Sequence, residues 1–213
     1  MQFHNDQLLL YAVTDRTWTG KQTLEQQVEQ ALEGGVTCIQ LREKQLEEDD
    51  FVQEAMRMRT LCHRYGVPLI INDNLSVARR SGADGIHVGQ EDASAREIRK
   101  IVGPDFIIGT TAKTVQQAQK AQEDGADYLG VGAVFPSPTK TNAIRITGEQ
   151  LKAICSSVSI PAVAIGGISL DNMTEITGCG MHGIAVVSAV FAADDIRAAC
   201  VQLRQKIQGI LSV

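Results

Sequence analysis

Aromatic side chains are scarce in this 213-residue chain, at 4% with a single tryptophan, so Val, Ile, Leu and Ala must fill any core. Positive charge is not in excess either. The formal net charge is −5, which argues against a broad nucleic-acid or anionic-membrane surface and leaves any functional cations to local clusters. No C-x-x-C pair occurs. The five cysteines (Cys38, Cys62, Cys155, Cys179, Cys200) are odd in number and far apart, so neither a disulfide framework nor a zinc cluster is expected. No apolar run approaches a bilayer span, and the opening Met1-Gln2-Phe3-His4-Asn5-Asp6 lacks the basic and apolar regions of a secretory signal. The cytoplasm is the expected compartment, and the acidic balance suits a small anionic ligand held by a few cations.

What is present is repetition. Short aliphatic runs predict strands over Leu8–Val13, Val36–Leu41, Pro68–Ile71, Gly85–Val88, Phe106–Ile108, Tyr128–Val131, Ala162–Ile165 and Ile184–Val187. Helical spacing separates them, as in Leu24/Val28/Ala31/Leu32, Phe51/Ala55/Met58/Cys62, Val115/Ala118/Ala121 and Ile196/Ala199/Leu203/Ile207. Four glycine-bearing junctions, Gly34-Gly35-Val36, Gly82-Ala83-Asp84-Gly85, Gly125-Ala126-Asp127-Tyr128 and Gly180-Met181-His182-Gly183, each end a helix and open a strand. Alternating units of this kind imply parallel strands with helical crossovers. Eight of them in one domain spanning 1–213 predict a single α/β (β/α)8 TIM barrel, with an open doubly wound sheet as the alternative.

In such a barrel every strand delivers its C-terminal end to one rim. Asp73, in Ile71-Asn72-Asp73-Asn74, and Asp92, in Gly89-Gln90-Glu91-Asp92, follow neighbouring strands and are candidate oxygen ligands for Mg2+. That ion usually takes one or two protein carboxylates and completes its shell with water and phosphate. The competing reading makes each acid a helix N-cap. Gln40-Leu41-Arg42-Glu43-Lys44 places two cations on one side of an extended segment, a pairing suited to diphosphate. A solvated loop paired with local acids would use the same residues. Ser137-Pro138-Thr139-Lys140 offers hydroxyls and an ammonium on a proline-stiffened loop. Gly166-Gly167, with Val187-Ser188, lies where barrel enzymes bind phosphate, although tight turns need glycine anyway. Gly109-Thr110-Thr111-Ala112-Lys113 reads either as a rim segment or as a helix cap. His87 reads as a hydrogen-bonded barrel residue.

Taken in order, QLREK, INDN, HVGQED, the S-P-T-K loop and AIGGI resemble the thiamine phosphate synthase family, over nearly the whole chain from Tyr11 to Ser188. The resemblance implies an enzyme that joins an aminopyrimidine methyl diphosphate to the nitrogen of a thiazole phosphate. It implies a dissociative route, in which diphosphate leaves before the thiazole attacks and no protein nucleophile is used. Carried over by motif, Gln40, Leu41, Arg42, Glu43, Lys44, Asn72, Thr111 and Lys140 would contact the pyrimidine diphosphate, with Arg42, Lys44, Thr111 and Lys140 as the catalytic group. Asp73 and Asp92 would hold Mg2+. Ser137, Pro138, Thr139, Gly166, Gly167, Val187 and Ser188 would surround the thiazole phosphate. Family habit suggests a homodimer with small-molecule substrates and no nucleic-acid or membrane partner. The chain departs from the family pattern at Thr111, usually serine, at Lys113, often histidine, and at Ser137, commonly threonine. Two rivals remain: a thiazole tautomerase, which would need no diphosphate cradle, and a non-catalytic barrel that binds a phosphate ligand.

Overall fold

The computed structural model describes residues 3–20, 22–137 and 144–211. Eight strands form a closed, all-parallel barrel in sequence order: β1 (Leu10–Val13), β2 (Cys38–Leu41), β3 (Leu69–Asn72), β4 (Gly85–Val88), β5 (Ile107–Ala112), β6 (Tyr128–Gly132), β7 (Ala162–Ile165) and β8 (Gly183–Val186). Closure comes from β8 pairing with β1, Ile184 opposite Leu10. The barrel expectation therefore holds and the open sheet does not.

The helices are α1 (Leu24–Glu33), α2 (Glu48–Arg64), α3 (Leu75–Ser81), α4 (Ala95–Val102), α5 (Val115–Glu123), α6 (Gly148–Ser156), α7 (Ser188–Phe191) and α8 (Ile196–Leu211). Capping boxes start several of them: Thr23 with Gln26, Ser94 with Glu97, and Thr147 with Gln150. Between β7 and β8 the connection carries only a 3-10 turn, Met173–Ile176.

The period-2 alternation of each strand divides the core in two. Outward-facing residues such as Leu10, Ile39, Leu41, Ile71, Ile86, Ile108 and Leu129 pack under the helices. Inward-facing residues such as Tyr11, Val13, Cys38, Ile70, Ile107, Tyr128, Val163 and Ala185 fill the barrel. Strand β5 is longer than its apolar run predicts, Ile107–Ala112 against Phe106–Ile108. Its inward positions beyond Ile107 are Gly109 and Thr111, which carry no hydrophobic signal.

The glycine junctions mark a second regularity, at the pole opposite the rim. The residue before each even strand donates its N–H to the carbonyl of a residue near the start of the preceding odd strand, and its side chain accepts that residue's N–H. Thr37 clasps Leu10 with its hydroxyl at 3.0 Å, Asp84 clasps Leu69 at 2.9 Å, Asp127 clasps Ile108 at 2.7 Å and His182 clasps Ala162 at 3.4 Å. His63 and Arg99 hold two of these acids, His63 reaching Asp84 at 2.8 Å and Arg99 reaching Asp127 at 2.6 Å. Losing the acceptor leaves a strand N–H unsatisfied. Asp84→Ala should therefore lower unfolding free energy by about 1–3 kcal/mol, read as a lower urea midpoint with unchanged kcat/KM. Asp84→Asn, which keeps an acceptor oxygen, should lose less.

Candidate active site

The rim gathers residues from most strands. Thr14, directly after β1, is fully buried and fixes the turn after β2, because its N–H donates to Gln40 O at 3.0 Å and its hydroxyl accepts from Arg42 N at 3.0 Å. Asp15 accepts from Thr17 N and also pairs with the Arg42 guanidinium at 3.4 Å. Partial burial pushes the Asp15 carboxyl up, but the Thr17 hydrogen bonds and the charges of Arg42 and Lys44 outweigh it and hold the group below its usual value. Arg42 is thus oriented before any ligand arrives.

Its neighbours in the same motif point elsewhere. The Glu43 side chain is 2% exposed and pairs with Arg16 at 2.8 Å, and Arg16 also reaches Glu54 on α2. Burial raises the Glu43 carboxyl above its usual range despite Arg16. Leu41 is fully buried in the layer between barrel and helices, so only its backbone meets the rim. Lys44 is exposed. Gln40 is buried inside the barrel, where its Nε2 donates to the Tyr11 hydroxyl at 2.8 Å.

The capping alternative for the two acids fails on geometry. Asn74 caps α3, its Oδ1 accepting from Val77 N at 2.9 Å, and Ser94 caps α4. Asp73 instead sits in the left-handed region at φ 61, the sole non-glycine residue with positive φ among those described. Such a conformation is uncommon outside glycine and persists where the surroundings impose it. Here the Asp73 N–H is tied to His87 O at 2.9 Å, which aims the side chain at the loop after β4. Asp92 in that loop accepts from Gly89 N at 2.7 Å. Partial burial together with the Asp92 charge raises the Asp73 carboxyl to about 6, with Asn72 and Arg42 opposing. Two acids therefore act on each other at this mouth, and the Arg42 charge acts on the same group.

Thr111 lies in β5 rather than after it, so it does not cap a helix; Thr114 caps α5. Its hydroxyl lies 3.0 Å from His87 Nε2, and Gln90 Nε2 donates to its carbonyl. Asn72 ends β3 and is half-buried at the same mouth. Gly166 and Gly167 adopt φ 101 and φ 63. A Cβ on Gly167 would lie 2.1 Å from Pro136 O, so glycine is needed for the segment after β6 to cross the end of β7. That requirement explains the pair without any ligand. Val187 and Ser188 follow β8 and open α7, half-buried at the rim. Ser137 is half-buried at the start of its loop. Pro138, Thr139 and Lys140 lie outside the described residues.

Sequence reasoning missed Asp15 and Arg16, which orient the cationic segment, and Tyr11 and Tyr128, whose hydroxyls meet inside the barrel at 2.8 Å. A signal for the tyrosines was present. The chain has three, and two of them open or enter predicted strands whose neighbours are aliphatic.

Comparison with known proteins identifies the family. The family profile described as thiamine monophosphate synthase matches residues 10–190. A thiamine-phosphate synthase of Ruminiclostridium cellulolyticum is 48% identical over 194 residues, covering 91% of this chain and 92% of the relative. One from Methanobrevibacter smithii is 42% identical, covering 97% and 98%. The solved structure of a thiamine phosphate pyrophosphorylase from Pyrococcus furiosus superposes with a TM-score of 0.90 at 38% identity, covering 97% of this chain and 98% of that one. With matches of this extent, the chain belongs to the thiamine monophosphate synthase family of transferases.

Proposed function

We propose that this thiamine-phosphate synthase transfers the aminopyrimidine methyl group from its diphosphate ester to the nitrogen of a thiazole phosphate, with diphosphate leaving before the new bond forms. The observation that carries the reading is the Asp73–Asp92 pair. Two carboxylates released from capping duty and pressed together, with Arg42 nearby, make a poor resting arrangement and a good cation site. Among the described residues no cluster of three or more His, Cys, Asp or Glu side chains forms a metal site. A pair of carboxylates suits Mg2+, which takes few protein ligands and leaves positions for water and diphosphate. When bound by Asp73 and Asp92, Mg2+ supplies positive charge against the oxygens of the leaving diphosphate.

The remaining chemistry belongs to the chain's own groups. Arg42, prealigned by Asp15 and Thr14, offers a planar fork to phosphate oxygens, and Lys44 and Lys140 add mobile charge. Such preorganised charge lowers the barrier because it need not reorganise as the C–O bond breaks. Asn72 and Thr111 would meet the pyrimidine at the mouth, and Gln40, buried inside the barrel, would meet it from within. Ser137, Gly166, Gly167, Val187 and Ser188 would take the thiazole phosphate, with Pro138 and Thr139 assigned to it by motif alone. The site must keep water from the cationic methylene formed in transit. A homodimer in the cytoplasm, acting on small molecules alone, completes the reading.

The test mixes the pyrimidine diphosphate and the thiazole phosphate with purified protein, with and without Mg2+, and follows diphosphate release. Release that needs both substrates and the ion is expected. Metal-independent isomerisation of a thiazole carboxylate phosphate, with no diphosphate formed, would replace this reading by the tautomerase.

A further inference from the structure

The barrel interior of this aliphatic protein contains an unbroken polar chain. Gln40 Nε2 donates to Tyr11 Oη at 2.8 Å. Tyr11 and Tyr128 share a hydrogen bond of 2.8 Å, Tyr128 Oη lies 3.0 Å from His87 Nδ1, and His87 Nε2 lies 3.0 Å from Thr111 Oγ1. The chain runs from β2 through β1, β6 and β4 to β5, and both its ends are residues placed on the pyrimidine side of the mouth. Room for it is made deliberately by two glycines. A Cβ at Gly109 would lie 2.1 Å from the Tyr128 ring, and one at Gly130 would lie 3.0 Å from the His87 ring. Filling the interior would have been simpler with aliphatic residues, since a buried polar network contributes only when every member is satisfied.

The chain has a direction. An amide nitrogen can only donate, so Tyr11 accepts from Gln40, and its own buried proton is satisfied by going to Tyr128. Tyr128 then donates to His87 Nδ1. A neutral imidazole carries one proton, which is left on Nε2 and donated to Thr111. The His87 ring is buried with hydroxyls as its side-chain hydrogen-bond partners, a setting that favours the neutral imidazole. Thr111 is then the acceptor of the last link, and its own hydrogen is free to point elsewhere.

We propose that Tyr11, Tyr128 and His87 are positioning residues: with Gln40 they polarise a buried hydrogen-bond chain so that the Thr111 hydroxyl presents its proton to an acceptor atom of the pyrimidine substrate. The identity of that acceptor rests on the function proposed above; the polarity of the chain does not. A hydroxyl that already accepts from an N–H behind it keeps its proton free and has one lone pair fewer to offer, so it donates more readily than an isolated threonine. The arrangement therefore selects a ligand with an acceptor at that point and disfavours one presenting a donor.

Two measurements on the full-length protein test it. Long-range 1H–15N correlation spectra of 15N-labelled protein near neutral pH report the His87 tautomer, with the signal assigned by loss in His87→Gln. The Nε2–H form is expected, with the Nδ1 resonance shifted in Tyr128→Phe, where its hydrogen bond is lost. In steady-state kinetics, Tyr128→Phe should raise KM for the pyrimidine diphosphate roughly 10-fold, on the scale of one hydrogen bond, and leave KM for the thiazole phosphate unchanged. Thr111→Val should have at least that effect, Thr111→Ser should restore the wild-type value, and Tyr128→Phe should add little on top of Thr111→Val. Tyr11→Phe, which keeps the ring, serves if Tyr128→Phe folds poorly.

An Nδ1–H tautomer in the wild type would leave Nε2 as an acceptor, so that Thr111 donates to the ring instead of to a ligand, which overturns the proposal. So would equal losses for both substrates that add fully to those of Thr111→Val, the behaviour of a chain that only satisfies the core. If the wild type makes no thiamine phosphate, the proposed function falls while the tautomer still decides the polarity.

Discussion

Asp92→Asn should lower turnover by on the order of 10³-fold and at the same time make the metal-free protein more stable near neutral pH. Both effects have one cause. In the folded chain the Asp73 carboxyl is raised from 3.8 to about 6, first by partial burial and then by Asp92. A folded-state value above the unfolded one favours folding while the group is protonated, below about pH 4. That contribution is lost as pH rises through about 6, so the metal-free protein weakens across this interval. Removing the Asp92 charge moves the Asp73 value back down and recovers part of the loss. Both acids are exposed at the rim, so the gain falls well under the roughly 3 kcal/mol that a sealed group would carry for such a shift. Urea midpoints in chelator at about pH 5 and pH 7.5, with diphosphate release at saturating Mg2+, check the two halves together. Asp73→Asn should behave alike in turnover. Near-normal rates at limiting Mg2+ in both variants would remove the ligand role. Stability gained as activity is lost marks a charge pair kept for function.

Arg42→Ala should lower kcat/KM by about 10²–10³-fold, comparable to losing one preorganised donor in an oxyanion site. Arg42→Lys should recover only part of this, since a point charge replaces a planar fork. Asp15→Ala leaves Arg42 in place but unaligned, and should produce a smaller loss, concentrated in kcat. Equal kcat/KM for Arg42→Ala and wild type would place the leaving-group contact on the lysines instead.

How much of this was legible beforehand differs by element. Strands β4 and β7 have the bounds their aliphatic runs predict, because every residue in them but the inward His87 is apolar or glycine. In β5 the pattern stops early, because the inward face holds Gly109 and Thr111 where the polar chain passes. The rim positions of Arg42, Asp73, Asp92 and Thr111 followed from strand order alone, since a parallel barrel sends all C-terminal ends one way. Sequence could not decide whether the two acids were caps, as Asn74 and Ser94 stand only one and two residues beyond them. It also gave no hint that Glu43 turns inward to Arg16, a pairing made across 27 residues. Nor did spacing reveal that Tyr11 and Tyr128, 117 residues apart, would meet.

The four junctions opposite the rim carry a consequence for how the chain can be rearranged. Their clasps tie β1 to β2, β3 to β4, β5 to β6 and β7 to β8, and none ties one such pair to the next. The ring is thus four staples of two strands each, and the chemically varied acceptors Thr37, Asp84, Asp127 and His182 serve one purpose. New termini opened at Gly66, between the second and third strands, leave all four staples whole. A circularly permuted chain opened at Gly82 or Gly125 instead has a loose end two residues from the acid that closes its pair.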